Sequence, residues 1–299
     1  MIAKQTITGF VKGRMELSDL RKLQLLEVNL LLKFQEICKE NNLTYYLMGG
    51  GLIGALRHKG FIPWDDDLDI VMPRDDYDML LRICNKGIAG GYGLVNSQTD
   101  FDANWHMPFS KIIDLQSEIE KPMAFQTVKD NVWIDIFPVD GTPNNKFRRW
   151  LHMKHVFFLR YLLILTDINN LSGKKKRPFY ENWILTLFTR VPIFKQLNTE
   201  KVEKMMEKSM RKYDYSSSVF CCNYIGRYRS REIHPQKRWG QPASLLFEGI
   251  EVKVPQMYHE LLTQMYGDYM KLPPKNQRVA HEVRLLNHRD IDFEAYEWK

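Results

Sequence analysis

The sequence predicts an α/β fold with a mixed β-sheet core, flanking helices and a helical, basic C-terminal half. Short apolar strands alternate with amphipathic helices over residues 18–145, which is the pattern of an α/β sheet. Residues 150–166 and 183–194 are then apolar and aromatic, and basic residues lie within and between them. We therefore expect one unit over residues 1–145 and an elaboration over residues 146–299 that completes its site, either separate or within one continuous domain.

Hydrophobic periodicity locates the individual elements. Ser18 is suited to cap a helix that runs to about residue 40, with apolar side chains every three or four residues along one face. Strands are predicted at residues 45–48, 68–72, 92–95, 109–115 and 132–137, and helices at residues 52–57, 74–85 and 150–166.

Composition limits the class of protein. The chain has 299 residues, 44% of them hydrophobic, and 43 Lys and Arg against 36 acids give a net charge of +7. A basic surface suits nucleotides, anionic glycans, an anionic membrane face or nucleic acid. No secretory leader is evident and no apolar run approaches the roughly 18 residues of a membrane span, so we expect a cytoplasmic location. The four cysteines lack the spacing of a zinc site, and we expect them to fill the core.

Asp67 and Asp69 are the most informative residues of the chain. They alternate with Leu68 and Ile70, so in a strand both carboxylates project from one face. Two carboxylates on one face repel each other unless a hard cation bridges them, often together with substrate phosphates. The pair therefore predicts a site for Mg2+ or Mn2+.

A glycine turn precedes this acidic segment. Gly49, Gly50 and Gly51 allow backbone N–H groups to approach a phosphate, and the following helix would favour an anion at its N-terminus.

Two other interpretations of the acids are a solvated turn and a calcium loop. The apolar flanks argue against the turn, and Ile70 and Asp76 stand where a calcium loop needs Gly and Glu.

A third acid, Asp135, lies inside the short apolar strand that ends at Pro138. An isolated carboxylate in such a strand is costly unless it is paired or bound to a metal. Asp135 is therefore the third candidate catalytic residue and metal ligand, and it either completes the metal site or accepts a proton from a substrate hydroxyl.

A glycine turn, an acidic strand and a later strand with one acid are the pattern of the nucleotidyltransferase superfamily. Within it, residues 47–69 closely resemble the LicD family of phosphotransferases, bacterial relatives of fukutin. Further similar segments are residues 109–112, 133–141, 247–249, 266–274, Arg278 and His281. The resemblance covers residues 20–285 and is weakest over residues 145–240.

This resemblance implies Mg2+-dependent transfer of a phospho-alcohol, most commonly phosphocholine from CDP-choline, to a hydroxyl of a cell-surface glycan such as teichoic acid, lipopolysaccharide or capsule. The acceptor would be lipid-linked in some cases. His281 is expected to be a hydrogen-bonded structural histidine. The candidate substrate-binding residues are Gly49, Gly50, Gly51, Arg57, Trp64, Asp66, Lys111 and Arg278.

A quaternary ammonium such as choline needs an aromatic wall. Trp64, Trp105 and Trp133 are the candidates for it, and the sequence does not choose among them.

Two other functions stay open. Basic residues interleaved with Tyr224, Tyr228 and Trp239 are compatible with a nucleotidyltransferase acting on nucleic acid. A non-catalytic module that binds nucleotides or glycans is the other alternative, although nothing would then maintain three mutually repelling acids.

The stretch from residue 150 to 194 has two interpretations. Its two apolar segments, with the basic loop 174–177 between them, form either two packed helices or a surface that lies against an anionic membrane. In the second case the protein would contact the inner face of the membrane peripherally.

Overall fold

The computed structural model describes residues 10–11, 14–15, 17–97, 105–122, 127–166, 198–278 and 283–293. His281, the basic loop 174–177 and the apolar stretch 183–194 lie outside these residues. The strands, in chain order, are β1 (Phe10–Val11), β2 (Arg14–Met15), β3 (Tyr46–Met48), β4 (Asp69–Pro73), β5 (Tyr92–Val95), β6 (Ser110–Pro122), β7 (Thr127–Thr142), β8 (Phe220–Cys222), β9 (Ile233–Pro235), β10 (Ala243–Phe247), β11 (Ile250–Val254) and β12 (Arg284–Asn287). The α-helices are α1 (Asp19–Glu40), α2 (Gly49–Arg57), α3 (Arg74–Cys84), α4 (Lys146–Thr166), α5 (Thr199–Met210) and α6 (Tyr258–Tyr266).

Within these residues, eight strands form one mixed sheet, which confirms the predicted α/β class. Five of them follow in the order β12, β6, β7, β4 and β3, while β5 pairs with β6, β8 with the end of β7, and β9 with β8. Strands β4 and β7 are parallel, and the other neighbours are antiparallel. The strand pairs β1–β2 and β10–β11 are separate antiparallel hairpins.

Helix α1 begins where the sequence predicts. The Ser18 side chain accepts a hydrogen bond from the backbone N–H of Arg21 at 3.2 Å and so satisfies one of the free donors of the first turn. The predicted apolar face, including Leu23, Leu30 and Phe34, is buried in the main core against the sheet. This face fixes α1 against the strands that carry the acids.

Strand β7 shows the alternation that the sequence predicts for its centre. Val132, Ile134 and Ile136 are fully buried, whereas Asp135 between them lies on the opposite face. The strand is 16 residues long and β6 is 13, both longer than predicted. The cause is their mutual pairing, which continues from Ser110 opposite Ile136 to Pro122 opposite Thr127.

Residues beyond position 145 also enter the sheet, which the periodicity did not predict. Strands β8 and β9 extend it from the end of β7, and β12 pairs with β6. Val252 and Leu261 from the C-terminal half share the main core with residues of β3 and β4. A second, smaller core lies between α4 and α5.

Glu248, in the turn between β10 and β11, holds together the segments that lead into the acids. Its carboxylate accepts a hydrogen bond from Arg21 of α1 at 2.7 Å and another from the backbone N–H of Phe61 at 3.0 Å. The Phe61 ring in turn contacts Phe247 edge-on, with centroids 4.9 Å apart. The loop before the acidic segment is therefore clamped between α1 and the hairpin.

All four cysteines are buried and unpaired, as predicted for residues that fill the core. In the part of the chain that the structure describes, no helix is both long and apolar enough to cross a membrane.

Candidate active site

Three charged side chains form a row across adjacent strands of the sheet. Asp69 of β4 lies directly opposite Asp135 of the parallel strand β7, and Asp135 lies opposite Lys111 of β6. Residues paired in this way project from the same face of a sheet. The backbone N–H of Asp135 donates to the Leu68 carbonyl at 2.9 Å, which places the two acids side by side.

The structure corrects one premise about Asp67. Strand β4 begins at Asp69, so Asp67 precedes it rather than lying within it. The alternation nevertheless extends back to Asp67, because Leu68 between the two acids is fully buried. Asp67 remains close enough for its charge to raise the pKa of Asp69.

The negative charge of both paired acids is incompletely compensated. Burial, followed by the charges of Asp67 and Asp135, raises the pKa of Asp69 well above its ordinary value. Burial also raises the pKa of Asp135, although Lys111 and a hydrogen bond from Trp133 oppose this shift. Oδ1 of Asp135 is buried and has no hydrogen-bond partner. A bound cation would stabilise the ionised form of both acids and would give Oδ1 of Asp135 a partner.

The donors present fit a hard divalent cation that shares its coordination with substrate. Among the described residues, no three or more His, Cys, Asp or Glu side chains are grouped as a complete ligand set. Mg2+ typically uses one or two carboxylates together with water and substrate phosphates. The adjacent acids Asp69 and Asp135, with the unpartnered Oδ1 of Asp135, match that requirement.

The glycine run lies against the acids. Helix α2 begins at Gly49 itself rather than at residue 52, so the glycines form its first turn and not a preceding loop. Gly49 has a φ of +60°, and a Cβ there would lie 2.5 Å from Oδ2 of Asp69. A Cβ on Gly50 would lie 2.0 Å from Oδ2 of Asp65. Glycine is needed because the helix N-terminus, which favours negative charge, packs directly on two carboxylates.

Arg57, Trp64 and Arg278 come together beside the acidic loop, which consists of residues 65–67 before β4. The Arg278 guanidinium lies 5.3 Å from the centroid of the Trp64 ring. Burial, followed by the charge of Arg278, lowers the pKa of Arg57, and Asp65 opposes this shift. Arg57 donates to the Tyr269 carbonyl at 3.0 Å, but its Nε is buried without a partner. Two neighbouring guanidinium groups with an unused donor suit an anion such as phosphate.

Lys111 is buried between two aromatic rings. Its Nζ lies 4.6 Å from the Trp105 ring centroid, 4.4 Å from that of Trp133 and 3.9 Å from a carboxylate oxygen of Asp130. Lys121 lies 4.3 Å from the Trp133 ring centroid. The three candidate tryptophans for a choline-binding wall therefore already contact cationic side chains of the protein.

Asp66 is buried, with 4% of its surface exposed, and its charge acts on Glu27 of α1. The structure thus groups the candidate residues into three adjoining sets. Their members are the acids Asp66, Asp67, Asp69 and Asp135, the glycines Gly49, Gly50 and Gly51, and the cations Arg57 and Arg278 with Trp64. The third candidate cation, Lys111, lies opposite Asp135 on β6.

Sequence reasoning missed three residues near the acids. Glu27, on α1, was visible as a charged residue in the middle of an apolar helix face. Tyr266 of α6 and Glu232 come from the C-terminal half, and both interact electrostatically with Asp69. Burial raises the pKa of Glu232 to about 7. Its interaction with Asp69 depends on tertiary structure alone, and no local pattern indicates it.

The structure removes the main argument for nucleic acid as a substrate. Tyr224 and Trp239, two of the three aromatic residues interleaved with the basic segment, are 0% and 1% exposed. Side chains buried in the core are not available to stack on bases.

The mixed sheet with acids on adjacent parallel strands and a glycine-started helix packed against them defines a nucleotidyltransferase-like enzyme. Residues 42–198, just over half of the chain, match the family described as LicD/FKTN/FKRP, nucleotidyltransferase domain. The chain is also 33% identical over 275 residues to the lipopolysaccharide cholinephosphotransferase LicD of Haemophilus influenzae, covering 89% of this chain and 96% of that protein. The chain belongs to the LicD family and is a LicD-type phosphotransferase.

Shorter similarities involve two uncharacterized rickettsial proteins. One, from Rickettsia typhi, is 40% identical over 71 residues, which are 24% of this chain and 22% of that protein. The other, from Rickettsia prowazekii, is 42% identical over 57 residues, which are 19% of this chain and 21% of its own length.

Proposed function

We propose that the protein is a Mg2+-dependent phosphotransferase that moves phosphocholine from CDP-choline to a hydroxyl of a cell-surface glycan, with lipopolysaccharide as the leading acceptor. The observation that carries the proposal is the pairing of Asp69 and Asp135 across β4 and β7. The choice of phosphocholine and lipopolysaccharide is supported by the name of the Haemophilus relative, which is similar over most of both chains. Teichoic acid and capsule are alternative acceptors.

Asp67, Asp69 and Asp135 would hold the divalent cation, which would polarise the donor phosphates and offset the charge that develops on the transferred group. The same role is open to Mn2+. Arg57 and Arg278 bind the donor diphosphate, because they present neighbouring guanidinium groups beside the acidic loop. The first turn of α2, at Gly49 and Gly50, packs against the carboxylates of Asp69 and Asp65.

In the proposed reaction the acceptor hydroxyl attacks the phosphorus of phosphocholine. A new phosphate ester bond forms, the bond to the bridging oxygen of the donor breaks, and CMP leaves. Asp135 either binds the cation or accepts the hydroxyl proton. Lys111 lies directly opposite Asp135, and its positive charge stabilises the negative charge of that acid. Residues 146–299 complete the site through Arg278 and Tyr266.

A donor comparison tests this function. The purified protein is incubated with Mg2+, an extracted glycan and one of CDP-choline, CDP-ethanolamine, CDP-ribitol or CDP-glycerol. Release of CMP and labelling of the glycan are measured. We expect CDP-choline to be the best donor, with release that depends on the glycan. Equal release from all four donors would contradict the choice of phosphocholine, and tight binding of nucleotide without release would favour a non-catalytic module.

Replacing Arg57 by Met is expected to raise KM for the CDP-linked donor about 10- to 150-fold, because a hydrogen bond to a charged group contributes about 1.5–3 kcal/mol. Steady-state kinetics at varied donor concentration measure the effect. Arg82→Met is the control, since Arg82 is exposed on α3. A fall in kcat at unchanged KM would show that Arg57 does not bind the ground-state donor.

Helix α4 supports the proposed peripheral contact with the inner membrane face. Phe147, Trp150 and Phe158 are 66%, 54% and 57% exposed, and with Leu151 and Tyr161 they form one stripe along the helix. The helix contains no Asp or Glu among its 21 residues. An exposed aromatic stripe on a basic helix suits an anionic lipid surface. With the cytoplasmic location expected from the sequence, this helix would bring the site to a lipid-linked acceptor at the membrane surface.

The double variant Trp150→Ser, Phe158→Ser is expected to lose at least about 10-fold in affinity for vesicles of phosphatidylglycerol and phosphatidylcholine, since each large apolar side chain contributes about 1.5–3 kcal/mol when buried. Cosedimentation measures the binding. Leu246→Ser is the matched control, because Leu246 is 57% exposed on β10. The membrane contact would be contradicted if the wild type did not bind these vesicles. It would also be contradicted if the wild type bound vesicles of phosphatidylcholine alone equally well.

A further inference from the structure

Glu27 is an acidic residue at a buried position of α1 where the neighbouring positions of the same face are apolar. It lies on the buried face of α1 together with Leu23, Leu30 and Phe34, and it is 0% exposed. Neither of its carboxylate oxygens has a hydrogen-bond partner. An ionisable group buried in this way is strongly unfavourable unless something outside the hydrophobic core compensates for it. The helix itself therefore does not explain why the residue is glutamate.

The charges that act on Glu27 belong to acids. Its strongest charge interactions are with Asp67, then Asp66, Asp65 and Asp135, and together with burial they raise its pKa well above the ordinary value. One turn earlier, Gln24 donates a hydrogen bond to the Asp65 carbonyl at 2.8 Å. This contact shows independently that the same face of α1 lies against the acidic loop.

Arg21, on the same helix, does not neutralise Glu27. The Arg21 guanidinium is bound to Glu248 at 2.7 Å and to Gln24 at 3.2 Å. Glu27 thus adds a further negative charge to a group of acids that already repel one another. Such an arrangement is unfavourable for folding alone and favourable for holding a cation.

We propose that Glu27 is a further carboxylate of the cation site and increases its affinity for a divalent ion, from a helix that precedes residues 42–198 matched to the family. The inference rests on the cation site of the proposed function and extends it by one residue. The charge of Glu27 interacts more strongly with that of Asp67 than with those of the other acids, so it either binds the ion directly or strengthens binding by Asp67.

The experiment measures Mn2+ binding by isothermal titration calorimetry, without substrate, and thermal unfolding with and without Mg2+. For Glu27→Gln we expect Mn2+ affinity to fall at least about 10-fold and the stabilisation by Mg2+ to shrink accordingly. We expect the unfolding temperature of the metal-free variant to rise, because a repelling buried charge is removed.

Glu203→Gln is the matched control. Glu203 is also buried, at 5% exposure, but it lies on α5 and accepts a hydrogen bond from Ser97 at 2.6 Å. Its replacement should leave Mn2+ affinity unchanged. A purely structural role for Glu27 predicts the same for Glu27→Gln, and an affinity within about twofold of wild type would overturn the inference.

The outcomes separate this inference from the proposed function. If the wild type itself binds no Mn2+, the cation site is wrong and the role of Glu27 falls with it. If the wild type binds and Glu27→Gln binds equally well, only the role of Glu27 is wrong. Should Glu27→Gln not fold, Glu27→Asp keeps the charge but withdraws it by one methylene. A clear loss of Mn2+ affinity in that variant supports the inference, and an unchanged affinity overturns it.

Discussion

Replacement of Asp69 by Asn is expected to reduce transfer by at least about 10³-fold, because it removes charge from a cation site that contributes several kcal/mol to the transition state. Asp67→Asn should have the same direction of effect. The volume of the side chain hardly changes, so the fold should persist. The rate of CMP release at saturating donor, measured with circular dichroism as the check of folding, tests both variants.

The metal-free Asp69→Asn protein should also be more stable than the wild type at neutral pH. The pKa of Asp69 is raised in the folded state, so its contribution to stability is greatest below the ordinary value of 3.8 and is lost as the pH rises toward the folded-state pKa. Asn does not titrate, so the variant should lose less stability as the pH rises. Asp75→Asn, at an exposed position of α3, is the control for both measurements. Turnover close to wild type in Asp69→Asn would exclude it from the cation site.

Local sequence patterns were sufficient for the elements whose residues interact mainly with near neighbours. Ser18 caps α1 as predicted, the apolar face of that helix is buried, and β5 has the predicted bounds. The alternation around Asp135 correctly placed that acid on the face opposite the apolar residues of β7. These features depend on side-chain periodicity, which the sequence displays directly.

Features that depend on pairing between distant segments were not predictable in this way. The register that sets Asp69 opposite Asp135 joins two strands more than sixty positions apart, although the spacing of the motifs had suggested that these acids act together. The pairing of β6 with β7 lengthened both strands, and β8 and β12 entered the sheet from the C-terminal half. Propensity does not encode such partners.

The grouping of charges was only partly predictable for the same reason. Arg57 and Arg278 are separated by most of the chain, and only the resemblance to the LicD family suggested that Arg278 belongs to the site. Lys111 was a candidate substrate-binding residue within a segment that resembles the same family. Its position between Trp105 and Trp133 requires the tertiary structure. The sequence shows Glu27 as an acidic residue in an apolar helix face, but its proposed role depends on the acids whose charges act on it in the folded protein.

Asp135→Asn distinguishes the two roles that remain for the third acid. Loss of a general base alone should lower the rate about 10²–10⁴-fold and leave Mn2+ affinity nearly unchanged. Loss of a ligand should lower both the rate and the affinity, and it should raise the Mg2+ concentration needed for half-maximal activity. An Mg2+ titration of turnover, combined with calorimetry of Mn2+ without substrate, separates these outcomes.

We expect Asp135→Asn to lower both the rate and the Mn2+ affinity, as predicted for a metal ligand. Oδ1 of Asp135 is buried and unpartnered, and the carboxylate lies beside Asp69 on a neighbouring strand. Burial raises its pKa despite Lys111, so the ionised form is most readily maintained by a cation that both acids share. A proton-accepting role would add to this effect and would appear as a further loss of rate at saturating Mg2+. If Asp135→Asn kept the wild-type rate and the wild-type response to Mg2+, Asp135 would lie outside the site, and Asp67, Asp69 and Asp135 would not form one site of three carboxylates.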